Sequence, residues 1–70
     1  MNRIEQITSS HPWISEDACR IMLCSYYKRF CEVGLEGQRL QYFMDETTKS
    51  ICNHDRKHVQ ETLSMIVDWH

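Results

Sequence analysis

Apolar positions along the chain recur at helical spacing, not in the strict alternation of a half-buried strand. Ile4 and Ile7 stand three apart and are followed by Thr8-Ser9-Ser10, which predicts a short helical turn or an ordered arm over residues 1–14. His11-Pro12 breaks that segment, because the residue before a proline is pushed out of the α region. Ser15-Glu16-Asp17-Ala18 then has the chemistry of a helix start. A serine oxygen accepts from a free backbone N–H there, and two acids sit at the positive end of the helix dipole. Ile14 and Cys19 occupy the two positions of a hydrophobic staple. The helix is expected to run to Val33, with Gly34 as its left-handed terminator and Lys28 and Arg29 near its negative end.

This first long helix carries apolar groups on more than one face. Ala18, Ile21, Met22 and Ser25 form one stripe; Cys19, Leu23, Tyr26, Tyr27, Phe30 and Val33 form another. So wide a stripe predicts a central helix contacted from two sides, or one shared between its own domain and another chain. Gly34-Leu35-Glu36-Gly37 is a short connection. A second helix, residues 38–51, carries Leu40, Phe43, Met44, Thr47 and Ile51 on one face, and Ser50 or Asn53 is placed to cap the next helix. A last helix, about residues 54–69, carries Val59, Thr62, Leu63, Ile66 and Val67. Short connections favour antiparallel neighbours. The expected fold is all-α: a small three-helix domain over residues 15–70, preceded by an arm or short helix over residues 1–14, assembling as a helical homodimer.

Composition agrees with this class. Apolar residues make 41% and charged residues 26% of the 70, an ordinary balance for a soluble globular domain. Two glycines and one proline argue against a loop-rich or all-β chain. No apolar run approaches the ~18 residues of a membrane span, and Met1-Asn2-Arg3-Ile4-Glu5 shows no secretory pattern, so a cytoplasmic location is expected. Folding buries on the order of 4,200 Å² of apolar surface, roughly 105 kcal/mol at ~25 cal/mol/Å². Ordering the chain costs about the same at ~1.5 kcal/mol per residue. A monomer of this size is therefore marginal and gains from a partner.

Cys19, Cys24, Cys31 and Cys52 are not spaced as paired knuckles, and buried free thiols in a reducing compartment are the expectation. Cys52, His54 and His58 form a weak zinc pattern, to which Cys31, Cys24 or His11 would have to add a fourth ligand. The neighbouring Arg56 and Lys57 disfavour a cation, and a solvated helix start with packed thiols accounts for the same residues. No metal and no cofactor are expected. The His54-Asp55 pair lacks the further ligands of a phosphohydrolase-type centre, no third group is placed to orient a Cys–His pair, and no glycine-rich phosphate loop is present. The chain does not read as an enzyme.

Two binding functions compete, with a small zinc-binding helical domain on Cys52, His54 and His58 as a third reading. A helix-turn-helix over Ser15–Thr48 would use residues 38–51 to read DNA, with Lys28, Arg29, Arg56 and Lys57 as a local phosphate patch in a dimer. Arg39 and Lys49 in that helix are cancelled by Asp45 and Glu46, and the net charge of −2 lacks the usual basic footprint. A non-catalytic protein-interaction module, acting as a regulator, antagonist or adaptor, is favoured. It rests on a marginal monomer, a broad apolar helix, and abundant Met and aromatic side chains, which suit interfaces. Trp13, Met22, Tyr26, Tyr27 and Phe30 are the candidate partner-binding residues.

Overall fold

The computed structural model describes residues 2–69, with side chains through Ile66. Four α-helices succeed one another: α1 Arg3–Ser10, α2 Glu16–Glu32, α3 Gly37–Asn53 and α4 Arg56–Trp69. No strand occurs among the described residues. The all-α class is as expected, but the helix count is four, not three. The segment read as an arm or short helix holds a helix of two turns, α1, capped by Asn2. The Asn2 Oδ1 accepts from the Glu5 N–H at 2.8 Å, and the Asn2 amide donates to the Glu5 carboxylate at 2.8 Å. The first bond satisfies one orphan N–H of the first turn, and the second, between side chains, holds the cap in place.

α1 is also held from outside. Arg3 reaches across to α3, donating to Gln41 Oε1 at 2.7 Å and pairing with Asp45 at 3.0 Å. At the other end the buried His11 ring places its Nε2 2.9 Å from the Ile51 carbonyl of α3, and a carbonyl accepts only from a protonated nitrogen. Ile7 is fully buried between these two ties.

α2 starts and stops as its sequence dictates. Ser15 Oγ accepts from the Ala18 N–H at 3.1 Å, and Ile14 and Cys19 are both buried beside it. At the far end Gly34 takes φ +93°. The Gly34 N–H donates to the Cys31 carbonyl and the Leu35 N–H to the Phe30 carbonyl, at 3.1 and 3.0 Å. This is the two-bond left-handed stop in which a side chain would add strain. Phe30 and Leu35, which it brings together, both pack on the core.

α3 buries Leu40, Met44, Thr48 and Ile51. The inner face is therefore rotated from the one expected: Phe43 is exposed at its edge, and Thr48 replaces Thr47 at its centre. Thr48 tolerates full burial because its hydroxyl donates to the Met44 carbonyl at 2.8 Å. α4 is capped by Asp55 and not by Ser50 or Asn53, with Asp55 Oδ1 accepting from the His58 N–H at 2.9 Å. Val59 and Ile66 are its buried residues; Thr62 and Leu63 are half-buried, and the Val67 side chain lies outside the described ones.

α2 packs against each of the other three helices, and α1 also packs on α3. Of the two arrangements that its double stripe allows, contact from more than one side within the chain is the one observed. The smallest dimension, 18 Å, is about two helix diameters, so the molecule is two helices deep. Its accessible surface of 4953 Å² exceeds the about 4,600 Å² typical of a folded monomer of this mass. Among the described residues no buried side-chain nitrogen or oxygen lacks a partner.

Candidate protein-binding face

Much of the apolar surface on α2 is consumed inside the chain. Cys19, Met22, Leu23 and Ser25 are buried, and Ala18, Tyr26 and Phe30 are packed partly against the core. Met22, at 0% exposure, presents nothing to a partner, and its place among the candidate contact residues is corrected: it is the centre of the core. Trp13 is half-buried and serves as a strut. The His11 ring meets it edge-on at 5.9 Å, and the Arg56 guanidinium lies 4.8 Å over its face. That cation–π contact ties the entry of α2 to the start of α4.

What remains outside is a continuous aromatic series crossing from α2 to α3. Tyr26 and Phe30 lie 6.1 Å apart, one turn apart on α2. Phe30 meets Phe43 of α3 at 5.7 Å, and Phe43 meets Tyr42 edge-on at 5.8 Å. These separations fall within the range in which ring quadrupoles attract. Exposure rises along the series. Tyr26 and Phe30 are half-buried, Phe43 is 43% exposed and Tyr42 61%. Burial pushes the Tyr26 hydroxyl above its ordinary pKa, so that end stays a neutral phenol. Tyr27 at 48% and Val33 at 76% extend the apolar surface along α2. Arg39 and Glu46, three or four residues from Phe43 on α3, are exposed at its border.

No protein-family model, curated protein or solved structure matches this chain.

The series joins Tyr26 and Phe30, which the sequence marks as contact residues, to Tyr42 and Phe43, which it does not; Tyr27, also marked, is exposed beside it on α2. Periodicity alone puts Phe43 in the interior of α3 and gives Tyr42 no role. The signal that could find Phe43 is the spacing Leu40, Met44, Thr48, Ile51, which leaves residue 43 at the edge of the stripe. The contact of Phe43 with Phe30 is between helices and has no local signature.

The basic residues do not gather. Lys28 and Arg29 stand in the last turns of α2, whereas Arg56 and Lys57 open α4 beside Trp13, before the start of α2. About 18 Å of helix separates the two pairs. Residues 38–51, the would-be reading helix, pack against both α1 and α2 and carry Asp45 in an ion pair with Arg3.

The cysteine–histidine pattern also separates. No group of three or more metal-binding side chains converges among the described residues. Cys52 packs against the core, where it neighbours Cys19 electrostatically, while His54 and His58 are exposed. All four cysteines are free thiols. The expectation of buried thiols holds for Cys19 but not for Cys24 and Cys31, which are exposed on the outer face of α2. Burial first, then nearby Cys52 and Glu16, pushes the Cys19 thiol up in pKa, away from the reactive thiolate. An alkylating reagent is expected to modify Cys24 and Cys31 in the native protein and Cys19 only on unfolding. Peptide mass mapping at short reaction times checks this; early labelling of Cys19 would show that α2 is not sealed.

Proposed function

We propose that this chain is a non-catalytic protein-interaction module and that the Tyr26–Phe30–Phe43–Tyr42 face is where it docks. The observation that supports this most is the unbroken ring contact from the core to the exposed Tyr42. Rings already held by one another lose little freedom when a partner covers them, so more of the burial energy reaches the complex. Tyrosine and phenylalanine at the centre with charged residues at the border is the composition of an interface. Phe43 and Tyr42 replace Met22 and Trp13 as the expected anchors.

The first partner is a second copy of the chain. A twofold axis sets the same aromatic face against itself, which needs no other complementary surface. The exposed Tyr42 and Phe43 rings at the centre of that face favour the pairing. As a regulator, antagonist or adaptor, the assembled module acts sterically, by covering or bridging a site on another protein.

Sedimentation at micromolar concentration tests the reading. The wild type is expected to sediment as a dimer, and Phe43→Ser with Tyr42→Ser as a folded monomer with unchanged helical circular dichroism. A dimer indifferent to both substitutions places the interface elsewhere and defeats the proposal. So does retention on duplex DNA that falls steeply with salt, which would make phosphate contact the main interaction.

A further inference from the structure

The start of α4 carries a second arrangement that the aromatic face does not use. His54 and His58 are both exposed, with ring centroids 5.4 Å apart and planes 30° apart. His58 Nδ1 lies 2.9 Å from Asp55 Oδ1. A carboxylate only accepts, so Nδ1 carries the proton and the lone pair of His58 is on Nε2, at the outer tip of the ring. The same Asp55 oxygen accepts the His58 backbone N–H, which fixes the carboxylate against the first turn of the helix.

We propose that His54 and His58 form a binding site for a single divalent transition-metal ion that favours imidazole, with Asp55 as the group that orients His58. Three features support it. Ions of this class take imidazole nitrogen at about 2.0–2.1 Å, and two imidazoles on one ion then hold their centroids about 4.5 Å apart at the ~90° angle that nickel prefers and about 5.2 Å apart at a tetrahedral angle. The observed 5.4 Å is brought into this range by small side-chain rotations of the two exposed residues. The carboxylate–imidazole hydrogen bond is the outer contact that raises ligand basicity and fixes the tautomer at metal-binding histidines. Of the two neighbouring cations, the Arg56 guanidinium is held over the Trp13 ring, and Lys57 is an exposed, flexible side chain that can turn its charge to solvent. Arg56 is also turned by roughly 200° of helix rotation from His58. Cys52, packed on the core, is not a member of this site. Two protein ligands leave the other coordination positions to water or to a donor from a bound partner, so the site is open. It stands independently of the aromatic docking face.

Calorimetric titration of the untagged, reduced protein with nickel chloride at neutral pH provides the test; nickel prefers imidazole and does not oxidise thiols. One ion per chain is expected to bind. His54→Ala and His58→Ala should each weaken binding at least ~10-fold, since each removes one of two ligands. Asp55→Ser keeps an oxygen for the helix cap and removes the imidazole partner, so it should weaken binding about 10- to 100-fold while leaving the helical signal intact. A Cys24→Ser, Cys31→Ser double variant should bind as the wild type does. The proposal is overturned if no binding occurs at millimolar nickel, if either histidine variant binds unchanged, or if binding is lost with the two cysteines.

Discussion

Removal of residues 1–11 abolishes the cooperative thermal transition of this protein. That is the expected result, because α1 closes the core instead of lying beside it. Ile7 is fully buried, Ile4 packs on the same cluster, and His11 covers the Ile51 carbonyl at the end of α3. Truncating one buried isoleucine to alanine costs about 2–5 kcal/mol through lost transfer energy and the cavity left behind. A domain of this length has about 3.5–10 kcal/mol of stability in all. Loss of the whole helix removes two isoleucines and uncovers the surfaces of α2 and α3 on which they sit. Circular dichroism melting measures the outcome. Ile7→Ala should retain a transition, lowered by tens of degrees at ~4–8 °C per kcal/mol. Arg3→Ala should lower it little, since its partner Asp45 is largely exposed and such pairs contribute at most about 1 kcal/mol. A truncated chain that melted cooperatively near the wild-type temperature would show that the later helices hold a core of their own.

Met22→Ala and Tyr27→Ala, five residues apart on α2, should differ by several kcal/mol. Met22 is the largest fully buried side chain of the helix that every other helix touches. Its truncation leaves a cavity in the core, at a cost of about 2–5 kcal/mol. Tyr27 is half exposed, and a surface truncation away from caps and networks usually stays within about 0.5 kcal/mol. Urea unfolding of both variants reads the difference directly, as a large fall in midpoint for one and almost none for the other. Equal losses would mean that Tyr27 lies within the contact between the two copies and not beside it.

Local chemistry is legible wherever it acts within a few residues. Ser15, the Ile14–Cys19 staple and Gly34 set the bounds of α2, and each is found in its expected role. Short-range rules fail where two devices of similar strength compete. Ser50, Asn53 and Asp55 all offer a cap for α4; Asp55 prevails by accepting from both the backbone and the ring of His58. Those two bonds also hold its carboxyl below the ordinary carboxylate pKa. Residues 1–14 read equally as arm or helix because eight residues cannot sustain a helix on propensity alone. The helicity of α1 comes from Asn2 at one end and from α3 along its side.

The candidate face divides in the same way. Tyr26, Tyr27 and Phe30 are visible as surplus apolar groups on one helix. Tyr42 and Phe43 enter only when α3 turns Leu40, Met44, Thr48 and Ile51 inward and leaves Phe43 against Phe30. By itself the order of residues determined the helical class, the breadth of the apolar stripe on α2 and the ends of that helix. These depend on 3.6-residue periodicity and on caps, which are properties of neighbouring positions. Folding in three dimensions decided which side of each stripe is spent inside, that Met22 is covered, and that rings from two helices meet at the surface. Those outcomes depend on packing between segments far apart in the chain, and the spacing within any one segment does not encode them.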